Sequence, residues 1–68
     1  MTKEAETLVN MYYKVLELHQ SDSIIIKANI RMMYKAKFSC MWDLELLTDK
    51  EYLECLWKTD KILEGGEK

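Results

Sequence analysis

The chain contains no proline and only two glycines, Gly65 and Gly66, both at its C-terminal end. The interior therefore has little punctuation, and no glycine-rich phosphate loop can be built from it. There is one histidine, His19, so no Ser/His/Asp arrangement and no H-E-x-x-H string can be assembled around a second. No apolar run approaches the ~18 residues of a membrane span; the longest aliphatic block is Ile24-Ile25-Ile26. The opening MTKEAET is polar and charged, unlike a secretory leader, which sets the expectation of a soluble, cytoplasmic chain with reduced thiols. Its two cysteines, Cys40 and Cys55, form no C-x-x-C pair. A single bridge between them is conceivable, but small, mostly buried free thiols are expected.

What is present is apolar and charged material at helical spacing. Sixty-eight residues make one domain. A chain of this size buries only about 60% of its unfolded surface, and such a core rarely supplies more than ~3–5 kcal/mol. Oligomerisation or a close helix–helix fit is the usual remedy. With 49% apolar and 32% charged residues, the composition is that of a helical protein, not of a disordered tail. The net charge of −2 is unevenly spread. Residues 21–38 carry Lys27, Arg31, Lys35 and Lys37 against Asp22, whereas residues 39–68 hold eight acids against four lysines.

Periodicity predicts an all-α protein of three helices, about 3–20, 23–46 and 49–64, as one domain over 1–68. In the first, Ala5, Leu8, Tyr12, Val15, Leu16 and His19 form one stripe, with Met11 and Leu18 on a neighbouring one. Thr2 is its expected N-cap, with Glu4 and Glu6 favourably placed in the first turn. Ser21-Asp22-Ser23 ends that helix and starts the next. The β-branched Ile24-Ile25-Ile26 suits a strand, but the segment keeps helical spacing for ~20 residues, far beyond an ordinary strand. Ile26, Ile30, Met33, Tyr34 and Met41 are expected along one side of it, with Ser39 a place where it could bend. Leu53, Leu56, Trp57 and Leu63 are expected to form the main face of the third helix, with Tyr52, Cys55 and Ile62 beside them. Gly65-Gly66 is its expected left-handed stop, followed by a fraying Glu67-Lys68.

The most informative run lies between Tyr34 and Leu63. Thr48 and Glu51 stand in the T-x-x-E order of a capping box, starting a helix with almost no linker before it. Two successive helices must then fold back on each other as a hairpin. The string WDLELLTDKEYLECL resembles the short C-terminal domain (SHOCT) pattern, with Leu46, Leu47, Thr48, Glu51 and Tyr52 in its helix–turn–helix positions. Glu45 stands where that pattern has its turn glycine. The resemblance covers about thirty residues and implies a helical hairpin that mediates assembly, with no chemistry of its own.

Catalytic, cofactor-binding and metal-binding residues are not expected. His19 suits the C-terminal carbonyls of the first helix. Asp43/Glu45 and Glu51/Glu54 lack the alternating oxygen ligands of an EF-hand loop and read as solvated faces. Lys27, Arg31 and Lys35, at i, i+4 and i+8, form a basic stripe bordered by Tyr34 and Phe38. Such a stripe is a candidate nucleic-acid contact, although a pI near 5.3 is low for a dedicated binder. The other reading pairs the stripe with acids of the third helix, within the chain or across a dimer. Met33, Tyr34, Met41, Trp42 and Trp57 are the expected partner-binding residues, because methionine suits adaptable surfaces and tryptophan anchors interfaces. The primary expectation is thus a non-catalytic interaction and self-assembly module, a homodimer or other homo-oligomer without cofactor. A small nucleic-acid-binding regulator is the alternative. A third is an acidic inhibitor of a host or defence enzyme, using Asp43, Glu45, Asp49, Glu51 and Glu54.

Overall fold

Each helix of this chain begins at a side-chain hydroxyl. The computed structural model describes residues 1–65, and these form α1 (Lys3–Leu18), α2 (Ile24–Asp43) and α3 (Asp49–Glu64), with no strand among them. Thr2 Oγ1 accepts from the Ala5 amide at 3.1 Å and Ser23 Oγ from the Ile26 amide at 3.3 Å. At Thr48 the capping box closes in both directions. The Glu51 amide donates to Thr48 Oγ1 at 3.1 Å, and the Thr48 amide donates to Glu51 Oε1 at 2.9 Å. Each hydroxyl satisfies an amide that the first helical turn would otherwise leave unpaired.

The α2–α3 hairpin turns through a Schellman ending. The Glu45 amide donates to Trp42 O and the Leu46 amide to Met41 O, both at 2.9 Å. This ending requires a left-handed residue after the cap, and Glu45 supplies it at φ 63° without being glycine. Leu47 then folds inward and is buried. α2 itself runs unbroken through Ser39. At the end of α3, Gly65 is a right-handed C-cap, φ −59°, and not the expected left-handed stop. Gly66 and the expected fraying of Glu67-Lys68 lie outside the described residues.

The core is one cluster shared by all three helices: Ala5, Val9 and Leu16 from α1, Tyr34, Phe38 and Met41 from α2, and Cys55 and Leu63 from α3, with Leu47. Aromatic edges join its layers. Tyr12 meets Tyr34 and Phe38 edge-on at 5.5 and 5.6 Å between centroids, and Tyr13 tilts against Phe38 at 5.8 Å. Such geometries add to burial because ring edges and faces carry opposite partial charge. Thr59, fully buried on α3, donates its hydroxyl to Cys55 O at 2.8 Å and so brings no unmet polar group into the core.

The packing decides which of the apolar stripes face the core. Val9 is core, whereas Met11 and Leu18 face solvent. Ile26 and Met33 are exposed, and α2 turns Lys27, Tyr34, Phe38 and Met41 inward instead. Leu53 and Trp57 are exposed on α3, displaced from the core by the smaller Cys55 and Thr59. The reason is shared: α2 and α3 carry apolar residues on more than one side, so periodicity alone does not select the buried one. The selected side of α2 carries the two aromatic rings that interlock with Tyr12 and Tyr13.

Candidate interaction surface

The basic stripe is drawn into the fold. Lys27 is only 5% exposed, and its Nζ donates to Leu63 O at 3.3 Å, near the C-terminus of α3. Gln20 Nε2 donates to the neighbouring Ile62 O at 3.0 Å. The Gly65 amide also donates to Ile62 O, so Gln20 adds a second donor there, and the Lys27 cation suits the negative end of the helix dipole. Lys35 Nζ lies 3.0 and 3.1 Å from the two carboxylate oxygens of Asp60. Arg31 Nε is 2.9 Å from Asp60 Oδ1 but is not aligned for a hydrogen bond, so that contact is ionic only. Lys27, Arg31 and Lys35 therefore do not form one exposed face. Arg31 and Lys35 find their acidic counterpart in Asp60 of α3, and Lys27 finds a backbone carbonyl of the same helix.

The expected partner-binding residues separate into two groups. Tyr34 and Met41 are core residues, which corrects their assignment to an interface. Trp42 is partly exposed but held in place: its Nε1 donates to Asp49 Oδ1 at 2.8 Å, and its ring stacks on Tyr52 at 4.9 Å and 8°. Trp57 is exposed beside Leu53, one turn away, with Lys61 Nζ 5.7 Å above its ring. Met33 is exposed on α2.

Around Met33 lies the feature that sequence reasoning missed. At 100° per residue, Ile25, Ala28, Asn29, Met32, Met33, Ala36 and Cys40 occupy the side of α2 opposite its core face, and all seven are exposed. Met32 is 73% exposed and Ile25 76%. No charged side chain interrupts this outer face until Asp43, in its last turn, because the four basic residues of α2 lie on the inner side or its flanks. Lys37, on one flank, lies over the Tyr12 and Tyr34 rings at 5.6 and 5.7 Å. An ordinary surface helix alternates one apolar stripe with a charged one; α2 has two apolar sides. The signal was present in the spacing of its charges, none of which falls on the outer face before Asp43.

A cleft of about 320 Å³ between α1 and α3 is lined by Glu6, Val9, Asn10, Tyr13, Glu54, Cys55 and Lys58, together with Met1 and Glu51. Burial pushes both the Tyr13 hydroxyl and the Cys55 thiol up from their ordinary ranges, so both stay protonated at neutral pH. Glu51 is held down, first by a hydrogen bond from the Met1 amino group at 2.7 Å and then by the Thr48 amide. Of the two free cysteines, Cys40 is exposed and Cys55 buried, so the expectation of mostly buried thiols holds for one of them. His19 is the C-cap of α1, and its Nδ1 lies 2.6 Å from Asp22 Oδ2. Asp43 and Glu45 border a shallower recess with Asp49, near Trp42. Among the described residues, no three His, Cys, Asp and Glu side chains converge as a metal-holding group, and no helix is long and apolar enough to cross a membrane.

No family model matches the chain, and it has no significant match to a curated protein or to a solved structure.

Proposed function

We propose that this protein is a non-catalytic, cytoplasmic protein–protein interaction module that self-associates, with the outer face of α2 as its contact surface. The observation that carries the reading is the uncharged face from Ile25 to Cys40, which lies exposed along its length. Patches of this extent, rimmed by polar residues, mark association sites on small proteins. The marginal core of a short chain adds a thermodynamic reason for association, since a second copy buries apolar area that one copy leaves in water. The resemblance of the α2–α3 segment to the short C-terminal domain pattern implies the same role, assembly.

Light scattering after size exclusion tests this at low and high salt. The expected result is a species of about twice the 8.1 kDa chain mass. It should persist or strengthen as salt rises, because the contact is apolar. Met33→Glu should shift the population toward monomer while far-UV circular dichroism stays helical. A monomer at every concentration overturns the self-association reading.

A further inference from the structure

We infer that two copies of the chain pair through the outer faces of α2 as an antiparallel two-fold helix pair centred on Met32. This rests on the self-association reading and specifies its geometry. The argument begins with side-chain size along the face. The N-terminal end of the face carries Ile25, flanked by the exposed Ile24 and Ile26, whereas the C-terminal end carries Ala36 and Cys40, with the half-buried Ser39 at its edge. A parallel pair would set isoleucine against isoleucine at one end and small against small at the other. The helix axes would then have to splay, since packed helices need a nearly constant separation of roughly 8–10 Å. An antiparallel pair sets large against small at both ends.

The spacing fits the same dyad. With Met32 facing its own copy, Ala28 faces Ala36, Ile25 faces Ser39 and Ile24 faces Cys40. The face is thus self-complementary in the sense that an isologous interface requires. Electrostatics favour the same orientation. Asp43, on the outer side of the last turn, would stand beside its own copy in a parallel pair. In the antiparallel pair it lies within a turn of the partner's α2 N-terminus, which has no acid in its first turn and carries the positive end of the helix dipole. The nearby acid, Asp22, is already bonded to His19.

Area is sufficient. From their exposed fractions, the apolar side chains of this face present on the order of 600 Å² per copy, or ~1,200 Å² in the pair, at the lower edge of specific interfaces. A modest affinity follows, so concentration must be varied in any test.

Thiol cross-linking in the full chain separates this geometry from the others. In the antiparallel pair the two Cys40 positions are ~24 Å apart along the axis, far beyond the ~7 Å a disulfide tolerates. Met32→Cys, at the dyad, places two thiols face to face. The expected result after mild diamide oxidation is a linked dimer from Met32→Cys in a Cys40→Ser background. None should form from the native chain, and a mixture of Ala28→Cys and Ala36→Cys chains in that background should give only the mixed dimer. Met32→Glu should weaken dimerisation roughly 100-fold, since two carboxylates would be buried together, with helicity retained. A dimer that links through native Cys40 is parallel and overturns the inference while self-association stands. So does a dimer that neither links through Met32→Cys nor weakens with Met32→Glu. A monomer at ~100 μM, about where a weak pair of this area should form, removes both.

Discussion

Glu45→Gly should make the protein more stable, although it deletes a side chain and adds backbone freedom. Glu45 is the left-handed residue of the Schellman turn between α2 and α3, at φ 63°. In that region the Cβ of an L-residue crowds the following carbonyl, at a cost of roughly 1–2 kcal/mol, which glycine does not bear. Against this, glycine loses more backbone entropy on folding, worth about 0.5–1 kcal/mol. The Glu45 side chain is exposed, so little packing is lost. The expected balance is ~0.5–1 kcal/mol of stabilisation, or roughly 3–6 °C in Tm for a domain of this size. Thermal melts at one fixed protein concentration measure it, because association would make Tm depend on concentration. Glu45→Ala, which keeps a Cβ, should move Tm far less. Glu45→Val should lower it, as a β-branched residue resists positive φ. A Tm for Glu45→Gly equal to or below that of the native chain would refute the assignment of strain to this turn.

Lys27→Met keeps the apolar stem but withdraws the cation from Leu63 O, and should cost about 1–2 kcal/mol in denaturant unfolding. An unchanged midpoint would show that the α3 end does not depend on this cap. Thiol labelling in native buffer should modify Cys40 rapidly and Cys55 only on unfolding, since Cys55 is buried and its thiol pushed up; two equally fast thiols would contradict the core packing. The Glu51 carboxyl is depressed below its ordinary value of 4.5 by its hydrogen bonds to the Met1 amino group and Thr48. A depressed carboxyl adds stability that is present above the unfolded value and is lost as pH falls through the lower folded one. Glu51→Gln should therefore be less stable than the native chain at neutral pH, and the two curves should converge in acid. A gap that persists unchanged into acid would assign the loss to something other than ionisation.

The helices and their starts were legible in the sequence because their causes are local. Thr2, Ser23 and Thr48 each cap an amide within three residues, so the boundaries near 3, 24 and 49 need no tertiary information. The closed capping box at Thr48 likewise makes a hairpin the expected outcome. The direction of each apolar face was not legible, because α2 presents Tyr34, Phe38 and Met41 on one side and Ile25, Met32 and Met33 on the other. A hydrophobic count weighs the two alike. Only packing distinguishes them: the aromatic side interlocks with Tyr12 and Tyr13, and it also brings Lys27 to the end of α3 and Arg31 and Lys35 to Asp60. The same choice moved Tyr34 and Met41 from a supposed interface into the core and left Met32 outside. Local sequence thus determined where the chain becomes helical, through hydrogen bonds spanning three or four residues. Tertiary structure decided which side of α2 meets water, because that depends on contacts between residues far apart in the chain.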